Sequence, residues 1–92
     1  MFALSSAGFV SSRLMPFCAD IGVELVSGGK DEVVARLPWA PERCTAGGIL
    51  HGGALMALAD AVGATLAFLN LPPGAMTTTI ESKTNFLRGV GE

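Results

Sequence analysis

The chain has few of the residues that build several common kinds of site. Its two cysteines, Cys18 and Cys44, belong to no CxxC motif and have no histidine at ligand spacing. This pattern argues against a disulfide framework and against a zinc site. Two plain thiols favour a reducing environment, so we expect a cytoplasmic protein that holds no metal.

Charged residues are also scarce, at 15% of the chain, with a formal net charge of −2. No basic patch is visible, which argues against nucleic-acid binding. No basic segment precedes an apolar run near the N-terminus, so we expect no signal peptide. No repeat or linker divides the sequence. We therefore expect one domain over 1–92, with a tail or short helix at 1–16 and the core at 17–92.

Apolar residues, in contrast, make up half of the chain, and the mean hydropathy is +0.52. A chain of this length has little interior to hide them, so we expect a homodimer or homotetramer in which a partner covers some. Residues 53–71 approach the length of a membrane span. Asp60 lies at their centre, where a charge is costly in lipid, so we do not expect a membrane protein.

Turn residues divide the remaining sequence into short elements. The apolar patterns at 21–26 and 32–37 predict two strands, and the glycine-rich turn at 27–31 joins them into a hairpin. A loop follows at 39–48, and the β-rich run at 77–87 predicts a long third strand. Together with the helix described next, these elements predict an α+β domain.

A helix is predicted from about Gly52 to Leu69, with two prolines soon after it. Asp60 is its only ionisable residue, and an unpaired buried acid is costly. Large side chains form one stripe of the helical wheel, which we expect to pack on the sheet: Leu55, Leu58, Val62, Leu66 and Leu69. The opposite side, which includes Ala57, Ala61 and Ala64, is small enough for close approach of another helix or a ligand. We therefore expect an enclosed helix.

This order of elements resembles the hotdog-fold acyl-CoA thioesterases of the PaaI type. The residues that match are Gly48–Gly53, Leu58–Asp60, Thr79–Glu81 and Asn85–Arg88. The resemblance implies a hotdog fold, in which an antiparallel sheet wraps around a central helix. It also implies that the sheet is incomplete at the C-terminal end, because the family continues with further strands that this chain lacks.

The resemblance further implies hydrolysis of an acyl-CoA to a free acid and coenzyme A, with no cofactor beyond the coenzyme A of the substrate. Asp60 would activate water or attack the thioester, and Thr79 would orient the water. The N–H of Gly52, at the helix N-terminus, would stabilise the oxyanion. His51 would act as a hydrogen-bonding strut or as a catalyst. Thr45 stands where many relatives carry an asparagine that orients the catalytic groups.

We expect substrate contacts from five further residues: Gly53, Met56, Lys83, Phe86 and Arg88. Lys83 and Arg88, like Arg43, are either partners of the coenzyme A phosphates or solvated surface charges. Gly52 and Asp60 are eight residues apart, which is about 12 Å along a helix. Because one thioester carbon cannot touch both, two chains would have to form each site.

Two other functions remain open. The first is a non-catalytic acyl-CoA-binding or interaction protein, which Thr45 and the incomplete sheet favour and the presence of His51, Gly52, Asp60 and Thr79 disfavours. The second is a hotdog dehydratase, whose acid/base pair usually includes a histidine near the reacting carbons. The only histidine of this chain lies at the start of the helix and suits that role poorly.

Overall fold

The computed structural model describes residues 15–92, so nearly all of the predicted tail or short helix at 1–16 lies outside the described residues. The first described element is a short helix, α1 (Pro16–Ile21). We expected the tail or short helix at 1–16 to end at Pro16. Pro16 instead occupies the first position of α1, where its missing N–H costs no hydrogen bond. Gly22 ends α1 in a left-handed conformation with φ of 91°, which favours glycine.

The predicted hairpin is present as strands β1 (Glu24–Gly28) and β2 (Val33–Arg36), which pair antiparallel. Strand β1 begins later than the predicted residue 21, because the preceding residues complete α1 and its glycine turn. The register shifts between Leu25 and Ser27. This irregularity interrupts the regular alternation of side chains between the two faces of the sheet. At this point of β1, the side chain of Val26 is 56% exposed.

The long helix, α2 (Gly52–Leu69), has the bounds that the sequence predicts. By length and composition alone it could cross a membrane, since its 18 residues have a mean hydropathy of 1.6. In the structure it packs against β2 and α1. Its C-terminal end is joined to the hairpin turn by the side chain of Asn70, which donates a hydrogen bond to the Lys30 carbonyl at 2.8 Å.

The face of α2 that packs on the hairpin is centred on Ala61 and Thr65 and includes only part of the predicted leucine stripe. The buried residues of the helix are Ala61 and Thr65, and Leu58 is partly buried beside them. Ala61 packs with Cys18 of α1 and Val23, which precedes β1. The prediction was wrong in placing the leucines at the centre of this face, because a small residue lets the short helix and the hairpin approach the α2 backbone closely. The Thr65 hydroxyl tolerates burial because it donates to the Ala61 carbonyl at 2.7 Å.

The long strand predicted at 77–87 is absent, and β1 and β2 form the whole sheet within the described part of the chain. Residues 77–87 run instead as irregular backbone, and three large apolar side chains of the region after α2 are more than nine-tenths exposed: Met76, Ile80 and Leu87. A β-rich sequence forms a strand only when a neighbouring edge supplies hydrogen bonds and side-chain contacts. Neither hairpin strand supplies that edge to residues 77–87.

Candidate functional site

The loop before α2 folds back on itself and thereby places His51 at the start of the helix. A 3-10 turn at Ala46–Gly48 contains two glycines with φ of 77° and 72°, a conformation that other residues rarely adopt. Around this turn, Cys44 and Leu50 form an isolated antiparallel bridge. The indole N–H of Trp39 donates to the Gly48 carbonyl at 2.9 Å and holds the turn in place.

His51 is the N-cap residue of α2. Its side-chain Nδ1 accepts a hydrogen bond from the Gly53 N–H at 2.8 Å. Its backbone N–H donates a hydrogen bond to the Arg43 carbonyl at 2.9 Å. Because Nδ1 is an acceptor, the proton of a neutral His51 ring lies on Nε2. The side chain is therefore a strut for the first helical turn that can present an Nε2–H donor.

Gly52 begins α2, and its N–H makes no hydrogen bond to any residue in 15–92. The ring of Phe86 lies over this glycine, so that a Cβ at Gly52 would be only 3.2 Å from the Phe86 Cζ. The two residues border a cavity of about 450 Å³ whose other walls include Leu55 and Arg88. Because glycine has no side chain, the Phe86 ring can lie close to the N-terminus of α2. The free N–H groups of a helix N-terminus favour a bound negative charge.

Asp60 and Thr79 meet in the middle of α2. The Thr79 hydroxyl donates a hydrogen bond to Asp60 Oδ1 at 2.6 Å, the length of a charge-assisted bond. Contrary to the expectation of an enclosed helix, Asp60 is exposed in the single chain. The carboxylate also acts on α1: burial raises the pKa of the Cys18 thiol, and the negative charge of Asp60 raises that pKa further.

A second cavity, of about 590 Å³, opens on another side of the α2 N-terminus. Its walls come from α1, from the loop at 42–44 and from the first helical turn, including His51 and Gly53. The described residues contain no group of three or more metal-ligating side chains. The start of α2 is therefore bordered by two open cavities.

The structure brings some of the predicted site residues together and keeps others apart. Asp60 contacts Thr79, Gly52 contacts Phe86, and His51 contacts Gly53. The first pair is separated from the helix start by about 12 Å of helix, as the eight-residue spacing requires.

Of the remaining predicted residues, Arg88 lines the cavity that Gly52 and Phe86 border, whereas Thr45, Met56 and Lys83 do not. Thr45 is exposed, and its side chain makes no hydrogen bond within 15–92. Lys83 is fully on the surface, Met56 is half-buried, and neither lines a cavity at the helix start. Sequence reasoning missed the structural part played by Arg43, because Ile21 lies 22 residues away and the bond to the Pro38 carbonyl, five residues away, follows no periodic pattern.

The comparisons with known proteins include this region, and the two relatives match most of the chain. Residues 47–92, half of the chain, match the Thioesterase superfamily. A protein of Deinococcus radiodurans named "Putative esterase" is 36% identical over 75 residues, which cover 80% of this chain and 46% of that protein. A protein of Haemophilus influenzae with the same name is 31% identical over 87 residues, which cover 89% of this chain and 63% of that protein. The chain thus spans less than two thirds of the length of these relatives. No solved structure matches it significantly.

Proposed function

Because the chain belongs to the thioesterase superfamily, whose fold is the hotdog, we propose that it hydrolyses an acyl-CoA thioester to a free acid and coenzyme A. The matched region contains His51, Gly52, Asp60 and Thr79. The antiparallel hairpin and the long helix agree with the α+β class of that fold. The PaaI type, a cytoplasmic location and the absence of a cofactor remain parts of the proposal.

The hydrogen bond between Thr79 and Asp60 is the observation that carries the proposal. The Thr79 hydroxyl donates its hydrogen bond to one carboxylate oxygen, so the threonine oxygen can still accept a hydrogen bond from water. The second carboxylate oxygen can accept the other proton of the same water. Water held in this way would lose a proton to Asp60 as its oxygen attacks the thioester carbon, which is general base catalysis.

The start of α2 would supply the opposite half of the reaction. The thioester oxygen gains negative charge as water attacks, and the Gly52 N–H at the helix N-terminus would stabilise that charge. As the oxyanion collapses, the carbon–sulfur bond would break, and coenzyme A would leave as a thiol with the proton that Asp60 took from water. The Phe86 ring beside Gly52 would exclude water from this hydrogen bond and strengthen it.

Two copies of the chain would complete each site. The 12 Å or so of helix between Gly52 and Asp60 is too long for one thioester carbon to reach both. A two-fold dimer with antiparallel α2 helices would place Gly52 of one copy beside Asp60 of the other, twice. The exposure of Asp60 and of the neighbouring apolar Ile80 in the single chain supports this arrangement.

The test is the release of free thiol from a series of acyl-CoA substrates by the parent and by Asp60→Asn. We expect the Asn variant to lose about 10²- to 10⁴-fold in kcat, since an amide cannot accept the proton of water. Asp31→Asn is the matched control, because Asp31 is an exposed residue of the hairpin turn, which adjoins the C-terminal end of α2 and not its middle, where Asp60 lies. Equal turnover by the parent and Asp60→Asn would contradict the proposed role of Asp60.

A second candidate is a non-catalytic acyl-CoA-binding protein. It is favoured by Thr45, which stands at the position of the family's orienting asparagine and makes no side-chain hydrogen bond within 15–92. Such a protein would bind a non-hydrolysable acyl-CoA thioether in calorimetry while the parent released no thiol from any acyl-CoA. Measurable turnover that Asp60→Asn abolishes would exclude this candidate.

A further inference from the structure

Arg43 joins the end of α1 to the segment that leaves the hairpin. Its Nε donates a hydrogen bond to the carbonyl of Ile21, the last residue of α1, and its Nη1 donates to the Pro38 carbonyl at 2.7 Å. The guanidinium also fills the space beside Gly22, where any Cβ would overlap it. A cation at the C-terminal end of a helix meets carbonyl groups that lack partners, which stabilises the contact.

The backbone of the same residue continues this connection to the helix start. The Arg43 carbonyl accepts the N–H of His51 at 2.9 Å, and the His51 ring in turn accepts the Gly53 N–H. One residue therefore links α1 and the exit of the hairpin, through its side chain, to the N-cap of α2, through its main chain. Gly52, whose N–H would face the thioester oxygen, lies between His51 and Gly53, which this last hydrogen bond joins.

We propose that Arg43 is a positioning residue that sets the orientation of His51 and of the Gly52 N–H. Its guanidinium anchors the loop against α1 and the hairpin, and its carbonyl then holds His51 in the capping geometry. The planar group makes two directed hydrogen bonds at once, which the single ammonium of lysine cannot reproduce at both carbonyls. The effect of Arg43 on the geometry of the helix cap is independent of the activity. Its effect on catalysis rests on the proposed thioesterase activity.

This assignment gives Arg43 a structural part that neither sequence-based interpretation describes. The two carbonyls take only two of the five guanidinium N–H donors, so contact with a coenzyme A phosphate is compatible with it. A solvated surface charge would have few contacts, whereas Arg43 is half-buried and makes both bonds inside the structure.

The first measurement is the ¹⁵N spectrum of the imidazole ring in the full chain, which is unambiguous because His51 is the only histidine. The parent should show the Nε2–H tautomer, with Nδ1 as a hydrogen-bond acceptor. In Arg43→Lys we expect a mixture of tautomers because the cap is loosened. Arg36→Lys is the control, since the Arg36 side chain is exposed and pairs with the Glu24 carboxylate at 2.6 Å rather than with main-chain carbonyls. An unchanged ¹⁵N spectrum in Arg43→Lys would overturn the proposal.

The second measurement separates positioning from general stability. In Arg43→Lys, kcat should fall about 10-fold or more while KM changes little, because the N–H is misdirected more than substrate binding is weakened. Millimolar guanidinium added to Arg43→Ala should restore the parent ¹⁵N spectrum, and ammonium should not. Failure of guanidinium to restore it would count against the proposal. An altered ¹⁵N spectrum in a chain whose parent releases no thiol would retain the positioning role and reject the proposed activity.

Discussion

Asp60 and Thr79 show how a site can depend on one hydrogen bond between a helix and an irregular segment. Asp60 is fixed by eighteen residues of helix, whereas Thr79 follows the prolines after α2 and belongs to no strand. The bond between them therefore orients the carboxylate and also holds the segment against the helix. Changes at Thr79 should separate these two effects.

We predict that Thr79→Val lowers kcat about 10- to 100-fold, because the bond to Asp60 Oδ1 and the acceptor for water are both lost while the side-chain volume is kept. Thr79→Ser should retain most activity, since it keeps the hydroxyl. Thr78→Val, one residue earlier and exposed, is the control. The assay is thiol release at saturating substrate, and a fully active Thr79→Val would remove Thr79 from the proposed site.

A second prediction at this scale concerns the two thiols. Burial and the charge of Asp60 raise the pKa of the Cys18 thiol above its ordinary value of 9.0. At pH values above 9.0 the unfolded chain therefore loses this proton while the folded chain keeps it, and the free energy of unfolding falls. Urea unfolding between about pH 8 and pH 10 should show this decline in the parent and in Cys44→Ala, and a weaker decline in Cys18→Ala. Equal slopes in all three proteins would contradict it.

At the scale of elements, α2 is held at both ends by side chains that bond to backbone. His51 caps its first turn, and Asn70 closes its last turn through the Leu66 carbonyl at 2.9 Å and the Lys30 carbonyl at 2.8 Å. The bond to Lys30 spans forty residues of sequence and joins the helix to the hairpin turn. A helix with so small a buried face depends on such end contacts.

We expect Asn70→Ala to lower the free energy of unfolding by about 1–2 kcal/mol, since two exposed hydrogen bonds are lost at about 0.5–1.5 kcal/mol each. Asn85→Ala, in the exposed segment after the helix, is the matched control and should be neutral. Urea midpoints followed by far-ultraviolet circular dichroism measure both. A neutral Asn70→Ala would show that the end of α2 gains nothing from the hairpin.

At the scale of the molecule, the single chain leaves many large apolar side chains in water. No large side chain among residues 15–92 is completely buried, and Met76, Ile80 and Leu87 are each more than nine-tenths exposed. Three large apolar side chains this exposed within one segment favour an interaction surface there. It lies on the segment that carries Thr79, which connects assembly with the proposed site.

We predict that the protein sediments as a dimer or larger and that Ile80→Arg shifts it toward smaller species, because a charge is costly in a dry contact. Thr78→Arg is the control for added charge. Ala61→Arg would not test assembly, because Ala61 is buried within the chain. Thiol release should fall together with assembly if two copies form each site. A compact monomer for the parent, equal in activity to Ile80→Arg, would reject the two-chain site.

The sequence by itself determined the features that depend on neighbouring residues. Turn residues between two apolar runs specified the hairpin, and the prolines after Leu71 together with the glycine-rich start specified the bounds of α2. These signals suffice because turns, caps and helical hydrogen bonds involve residues a few positions apart. The same local pattern placed His51 and Gly52 at the helix start.

Only the tertiary structure decided the features that depend on which surfaces meet. The face of α2 that is buried, centred on Ala61 rather than on the leucines, follows from how closely α1 and the hairpin approach the helix. The predicted strand at 77–87 did not form, because pairing needs an edge that a sequence pattern cannot supply. Arg43 became an anchor because its two acceptors converge in space from elements at different distances along the chain. Contacts of this kind are set by packing between elements, and no local periodicity encodes them.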